Sequence, residues 1–233
     1  VGPTASGKTK LSVELAKHFN GEIVSADSMQ IYTGMQIATA KPTKEEMDGI
    51  PHHMMDFLPP DKTYSVASYV TDASKCIADI HSRGKLPFIV GGTGLYVDSL
   101  LNNVSFSDDK RDEEYCLELR KIAEEQGTDR LLEMLAKFDP KSADRLRESR
   151  NLKRIIRAIE FYKTTTQQIE ESHKIPSPYM TVKIGLNCRD RQVLYDRINK
   201  RVDNMLEEGL LEEAERVINS DLSYTSIKAI GYK

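Results

Sequence analysis

Apolar residues fall at helical spacing near the start of the chain. Leu11, Leu15 and Phe19 lie four apart with Val13 and Ala16 beside them, which predicts an amphipathic helix over Lys8–Phe19, stopped by Gly21. Glu22-Ile23-Val24-Ser25-Ala26 is then short and apolar enough for a buried strand, with Asp27-Ser28-Met29-Gln30 at its C-terminal end. A second helix is predicted over Tyr64–Ser82, with Ala67, Val70, Ala73, Ile77 and Ile80 on one face and Gly84 closing it. Leu86–Val90 is a second buried strand, and it runs into Gly91-Gly92-Thr93-Gly94. Alternating strands and helices imply a parallel sheet that binds ligands at the carboxyl ends of its strands.

The pattern changes after about residue 107. Glu114–Glu125, Thr128–Phe138 and Asn151–Tyr162 are charged helical stretches without a convincing strand between them. Thr181–Leu186 is predicted to be a strand that returns to the sheet, and Arg191–Glu208 a long helix with Leu194, Ile198, Val202 and Leu206 four apart. The expected organisation is a sheet-bearing core over 1–106 and 181–233, interrupted by an all-helical insertion over 107–180. Only Val1 precedes the first motif, and Ile227–Lys233 resembles the entry to another element, so a longer parent chain is expected.

Composition narrows the class. Hydrophobic content of 39% and charge of 30% suit one folded globular core rather than a disordered chain. No apolar run approaches the ~18 residues of a spanning helix and no signal peptide opens the chain, so a soluble, membrane-free protein is expected. Cys76, Cys116 and Cys188 are scattered and form no C-x-x-C pair, which argues against a disulfide framework or a structural zinc and favours a reducing cytoplasm. A net charge of −3 requires that any polyanionic partner be held by a local basic patch.

The strongest chemical signal is Gly2-Pro3-Thr4-Ala5-Ser6-Gly7-Lys8-Thr9, a G-x-x-x-x-G-K-[ST] loop that opens a helix. Its glycines let backbone N–H groups turn toward phosphate oxygens at the positive end of that helix, Lys8 adds a mobile charge, and Thr9 offers a hydroxyl to Mg²⁺. Enzymes that hydrolyse nucleoside triphosphates usually carry a second acid after an apolar strand. Here the strand ending at Val90 has no carboxylate at its tip, and the strand-end acid near the loop is Asp27. Asp27 can be a general base, a magnesium ligand or a cap, and Ser28, Gln30 and Tyr32 add groups that could read a purine. Thr93 could donate to a phosphate or a base edge; alternatively, its glycine neighbours only permit close packing.

His52 and His53 are adjacent and lack a third ligand at a recognisable spacing, so hydrogen-bonding roles are expected of them rather than metal binding. Lys141, Arg145, Arg147, Arg150, Lys153, Arg154, Arg157 and Lys163 form a basic stretch, with Arg150, Arg154 and Arg157 expected on one helical face and Ile155, Ile156 and Ile159 supplying apolar contacts. Such a stripe suits RNA phosphates, although a charge run can equally be a solvated face. Arg189, Arg191, Arg197 and Arg201 cluster near the start of the last long helix, where one or two could clamp a diphosphate.

Read together, these segments resemble the tRNA dimethylallyltransferase (tRNA isopentenyltransferase) family. The resemblance rests on Gly2–Thr9, Asp27–Gln30, Tyr32 with Gly34-Met35, Thr39–Pro42, Ile50–His53, Tyr64-Ser65, Val90–Tyr96, Lys153–Glu160, Arg191–Leu206 and Ala229–Lys233. It implies a P-loop NTPase-like α/β fold, a parallel sheet flanked by helices with an inserted helical domain. It also implies transfer of a dimethylallyl group from dimethylallyl diphosphate to N6 of adenosine 37, next to the anticodon, in tRNAs that read codons beginning with U. The loop would then hold a diphosphate leaving group rather than ATP. Asp27 would be the base on N6; Lys8, Thr9 with Mg²⁺ and Arg191 would stabilise the diphosphate; and Thr93 with Ser28, Met29 and Gln30 would hold the flipped base. Lys153, Arg154, Ile155, Ile156 and Arg157, and Lys228, Ala229, Ile230, Gly231, Tyr232 and Lys233, would contact tRNA. The helical insertion would grip the anticodon stem, and a cytoplasmic monomer is expected. Ala38 departs from the glycine usual before Thr-Ala-Lys-Pro. The rival readings are a P-loop small-molecule kinase, an isopentenyltransferase acting on free adenine nucleotides, and a non-catalytic RNA-binding protein.

Overall fold

The computed structural model describes residues 1–102, 112–165, 176–223 and 226. The chain divides into two compact units, Val1–Asn103 with Pro176–Lys233, and Val104–Ile175.

The first unit is built on a three-stranded sheet in the order β2-β1-β3, formed by β1 (Gly21–Ser25), β2 (His52–His53) and β3 (Leu86–Val90). Both pairings with β1 are parallel, with Ile23 opposite His52 and Phe88, and Ser25 opposite Val90. Every residue of β1 is buried, as expected of a central parallel strand covered on both faces. Helix α1 (Lys8–His18) packs Val13 and Ala16 against Ile23, with Phe88 and Val90 alongside. Next come the single-turn α2 (Lys44–Met47) and α3 (Val66–Ser82). Ser65 caps α3 by accepting a hydrogen bond from Ser68 N, so the predicted Tyr64 and Ser65 stand before the first turn. Tyr69, Ala73, Ile77 and Ile80 bury one stripe of α3, joined by Tyr96, Val97 and Leu100 of α4 (Gly94–Leu101).

Glu22 enters this interior at 1% exposure. Its carboxylate accepts hydrogen bonds from Arg83 and Lys85 (2.7 Å) and faces His53 Nε2 at 2.7 Å. The Arg83 guanidinium above all holds the Glu22 carboxyl far below the usual carboxylate range. His53 is therefore one arm of the hydrogen-bond network around Glu22, and His52 bonds Ile50 O at 2.8 Å. Among the described residues no group of three or more His, Cys, Asp or Glu could hold a metal.

The predicted strand over Thr181–Leu186 is not regular structure. Val1 N donates to Ile184 O (2.9 Å) and Leu186 N to Val1 O (2.8 Å), so this segment runs beside Val1.

In the second unit α5 (Glu113–Gln126), α6 (Thr128–Ala136), α7 (Pro140–Ser149) and α8 (Leu152–Thr165) surround a core in which Leu119, Leu131, Leu135, Ile155 and Ile159 are fully buried. Helix α7 lacks a counterpart among the predicted helices. Its signals were Asp139, which caps by accepting from Ser142 N (3.0 Å), and Pro140 at the first helical position. Returning to the first unit, α9 (Arg191–Glu207) is capped by Asp190, and α10 (Leu210–Ile218) buries Glu213 and Val217. No described helix is long and apolar enough to cross a membrane.

Candidate active site

The residues before α1 form a cradle. Ala5 (φ 59) and Gly7 (φ 87) adopt left-handed backbone, which turns successive N–H groups toward one side of the loop. Gly7 also occupies the N-cap of α1 without a side-chain acceptor, leaving the helix's first N–H groups for an anion. Lys8 Nζ donates to Gly2 O (2.9 Å) and Pro3 O (2.7 Å), folding its charge back over the loop. Burial pushes the Lys8 ammonium pKa down; nearby Arg201 lowers it further, and Asp27 opposes both. Lys8, Asp27 and Arg201 therefore share one electrostatic neighbourhood. Ser6 Oγ is buried in the loop and has no hydrogen-bond partner among the described residues.

Arg191, expected at this site, begins α9, while Arg201 lies about 15 Å further along the helix axis. The charge of Arg201 is felt at Lys8.

Asp27 follows β1 and accepts hydrogen bonds at Oδ1 from Met29 N (2.9 Å) and Gln30 N (3.3 Å), fixing a turn and leaving Oδ2 without a hydrogen bond among the described residues. The next wall is the turn after β3. Gly91 is obligatory there: a Cβ would lie 2.1 Å from Ala26 O. This contact lets Thr93 N donate to Ala26 O (3.1 Å), and Thr93 Oγ1 accepts from Ser28 N (3.0 Å) while donating to Ser28 Oγ (3.3 Å). Thr93 and Asp27 thus stand on two loops stitched together at the strand ends. Tyr96, one turn beyond, feels the charge of Asp27 and stacks on Tyr69 at 4.1 Å, and burial pushes its phenol up to about 12.

Two expectations about base reading change. Gln30 turns its amide inward: Nε2 donates to Thr39 O (3.2 Å) and Ala40 O (3.0 Å), and Oε1 accepts from Ser25 Oγ (3.3 Å). Tyr32 is fully buried, so neither side chain presents its polar group at the open edge.

In the helical unit, Lys153 and Arg154 are exposed. Ile155 and Ile156, expected to contact tRNA, are 0% and 3% exposed and belong to the core, because helical periodicity turns them away from the neighbouring cations. Arg150 does not share the face of α8; it is the left-handed C-cap of α7 (φ 44) and bonds Asp129 at 2.9 Å. Arg157 pairs with the fully buried Glu160. Lys228, Ala229, Ile230, Gly231, Tyr232 and Lys233 lie outside the described residues. Glu213 was missed, although a carboxylate on the apolar stripe of α10, one turn before Val217, is a visible signal.

Comparison with known proteins gives concordant matches. The IPP transferase family model matches residues 30–233 and the isopentenyl transferase model residues 1–57. The tRNA dimethylallyltransferase of Oceanobacillus iheyensis is 48% identical over 237 residues, spanning 100% of this chain and 75% of its own length. That of Bacillus cereus strain ATCC 14579 is 51% identical over 238 residues, spanning 100% and 74%. The crystal structure of full-length tRNA isopentenylpyrophosphate transferase from Bacillus halodurans is similar with a TM-score of 0.69 at 48% identity, covering 99% of this chain and 73% of that one. A eukaryotic dimethylallyltransferase, captured acting on tRNA, is similar with a TM-score of 0.77 at 32% identity, covering 93% and 54%.

Proposed function

The chain belongs to the tRNA dimethylallyltransferase family, and from that premise we propose how its residues carry the prenyl transfer. It is a prenyl-transferring enzyme, with dimethylallyl diphosphate as donor and N6 of adenosine 37 beside the anticodon, in tRNAs reading codons that begin with U, as acceptor. The observation that carries the reading is the anion-turned loop itself, with left-handed Ala5 and Gly7, an uncapped α1 N-terminus and Lys8 folded back over it. A cradle with Lys8 folded over it and the charge of Arg201 felt there suits a departing diphosphate, and the carboxylate of Asp27 in the same field suits a proton acceptor.

As the N6–C1 bond forms, the C1–O bond of the prenyl donor breaks and diphosphate leaves with its electron pair. The N6 proton passes to Asp27, whose Oδ1 is held by backbone N–H groups while Oδ2 is available for it. Lys8 exchanges its loop carbonyls for diphosphate oxygens, and Arg201 rather than Arg191 supplies the opposing positive charge. Thr93, tied to Ser28, sets the wall against which the flipped adenine rests. Magnesium fits the donor set, because the Thr9 hydroxyl in the first turn of α1 and the partnerless Ser6 hydroxyl are hard oxygen donors. When bound, the ion would neutralise charge on the diphosphate. Exposed Lys153 and Arg154 would meet the anticodon stem-loop's phosphates.

The test is incubation with radiolabelled dimethylallyl diphosphate, unmodified tRNA and AMP together. Label in tRNA is expected. Label in AMP alone would favour the free-nucleotide enzyme, and ATP consumption with unlabelled RNA would favour a kinase.

A further inference from the structure

Helix α10 carries a carboxylate where its apolar stripe should be. Glu213 is 2% exposed on the face that also buries Val217, with Ala214 packed beside it. Backbone N–H groups of one turn converge on it. Gln36 N donates to Oε2 (2.9 Å), Ile37 N to Oε1 (2.9 Å) and Oε2 (3.0 Å), and Ala38 N to Oε1 (3.1 Å). Three consecutive N–H groups converging on one anion form a nest, and such a turn is held in shape only while the anion remains.

The loop fixed this way reaches the strand ends. Thr39 Oγ1 donates to Met35 O (2.5 Å), closing the turn, and the carbonyls of Thr39 and Ala40 then face Gln30 Nε2. Gln30 in turn ties Ser25 through its Oε1 and Asp27 through its backbone N–H. A continuous set of hydrogen bonds therefore runs from Glu213 through residues 36–40 and Gln30 to Asp27. Apolar packing reinforces it, since Val217 clusters with Ile31, Tyr32 and Met35.

We propose that Glu213 is a positioning residue for prenyl transfer: its carboxylate shapes the Gln36–Ala40 turn, and that turn, through Gln30, sets the place of Asp27. It acts through its bonds to residues 36–38 and on to Gln30, so its effect falls on the geometry of proton acceptance. The inference rests on the assignment of Asp27 as base.

The test uses the full chain and compares Glu213→Ala, Glu213→Gln, Gln30→Ala and the double variant Glu213→Ala with Gln30→Ala. In Glu213→Ala, kcat on tRNA falls about tenfold to a hundredfold, the effect of a sub-ångström to ångström misplacement of a reacting group. KM for dimethylallyl diphosphate stays within about twofold, because the anion cradle is built elsewhere. Glu213→Gln, which keeps an acceptor oxygen, recovers most of kcat. Adding Gln30→Ala to Glu213→Ala costs little more than the worse single variant, as expected for members of one chain of bonds.

Unchanged kcat with a lowered melting temperature would leave Glu213 a structural residue only and overturn the proposal. So would additive losses on kcat. Should Glu213→Ala fail to fold, Gln30→Ala decides: unchanged kcat would overturn the proposal, and reduced kcat with KM for dimethylallyl diphosphate held within about twofold would support it. Wild-type protein that labels no tRNA would instead sink the functional assignment.

Discussion

The ligand edge of the sheet-bearing unit and the core of the helical unit are built on opposite principles. The helical unit buries Leu119, Leu131, Leu135, Ile155 and Ile159 at helical spacing, and its cations stand outside that stripe. At the ligand edge the buried or half-buried groups are polar, and they partner one another: Thr93 with Ser28, Gln30 with Thr39 and Ala40, Glu213 with residues 36–38. An apolar core tolerates exchange of like for like because its attraction is non-directional. A polar edge does not, since each donor has a named acceptor whose loss leaves a buried group unsatisfied. The first arrangement supplies stability and a charged surface; the second supplies the position of a few reactive atoms.

Single substitutions should therefore split by region, and the largest expected effect lies at the edge. Asp27→Ala is expected to reduce prenyl transfer by at least ~10²–10⁴-fold, the usual contribution of a positioned base. Binding of diphosphate and of tRNA should be nearly intact, since neither depends on that proton acceptor. Single-turnover transfer measured beside equilibrium binding checks this, and most of the activity surviving would remove Asp27 from the base role. In the helical core the converse holds. Ile159→Ala opens a cavity at a fully buried site, and a loss of about 2–5 kcal/mol is expected. Denaturant unfolding reads that loss, whereas transfer at temperatures where the variant stays folded should change little.

The same contrast explains what could be read from sequence. Helices α1, α3, α8 and α9 follow apolar residues three and four apart, and β1 and β3 are short apolar runs bounded by glycine, so their places were legible to within a few residues. The P-loop was legible because its chemistry demands particular residues at fixed spacing. Helix α7 was not, since its capping Asp139 and Pro140 carry the signal and its exposed faces are charged. Thr181–Leu186 alternates like a strand, but strand identity depends on ladder partners that the segment's own residues do not name; among the described residues Ile184 and Leu186 bond Val1. That the charge of Arg201 is felt at Lys8 was not legible in the sequence, because it depends on how α9 is placed in the fold. Gln30 and Glu213 face the same limit: their partners are backbone groups of other segments, and nothing in a side chain's identity names those.

A third test sharpens the comparison at a polar site away from the ligand edge. Glu22 carries a carboxyl depressed far below its ordinary value, first by Arg83 and then, against the opposing cost of burial, by Lys85 and His53. A group whose folded pKa is depressed contributes stability that is complete above its unfolded pKa, about 4.3, and is lost as pH falls from there toward the folded value. Melting temperature should consequently fall on acidification below about pH 5. Glu22→Gln should lower it at neutral pH and flatten that acid slope. An unchanged slope would mean that other carboxylates govern acid unfolding.

The smallest effect is expected on the charged surface, and it separates two arginines one turn apart. Arg154 is exposed, whereas Arg157 pairs with the fully buried Glu160 and lies 5.6 Å from the ring centre of Phe161. If Arg154 meets one tRNA phosphate, Arg154→Ala weakens binding a few-fold at every tRNA sequence and reduces the slope of log affinity against log salt by about 1. Melting should not move, since exposed cations contribute little to stability. Arg157→Ala should instead lower the melting temperature, because it removes a partner from a carboxylate that remains buried. Filter binding across a salt series, run beside thermal melts, distinguishes the two. Equal salt slopes for wild type and Arg154→Ala would return this cation to the solvated face of α8, leaving the grip on RNA to other residues.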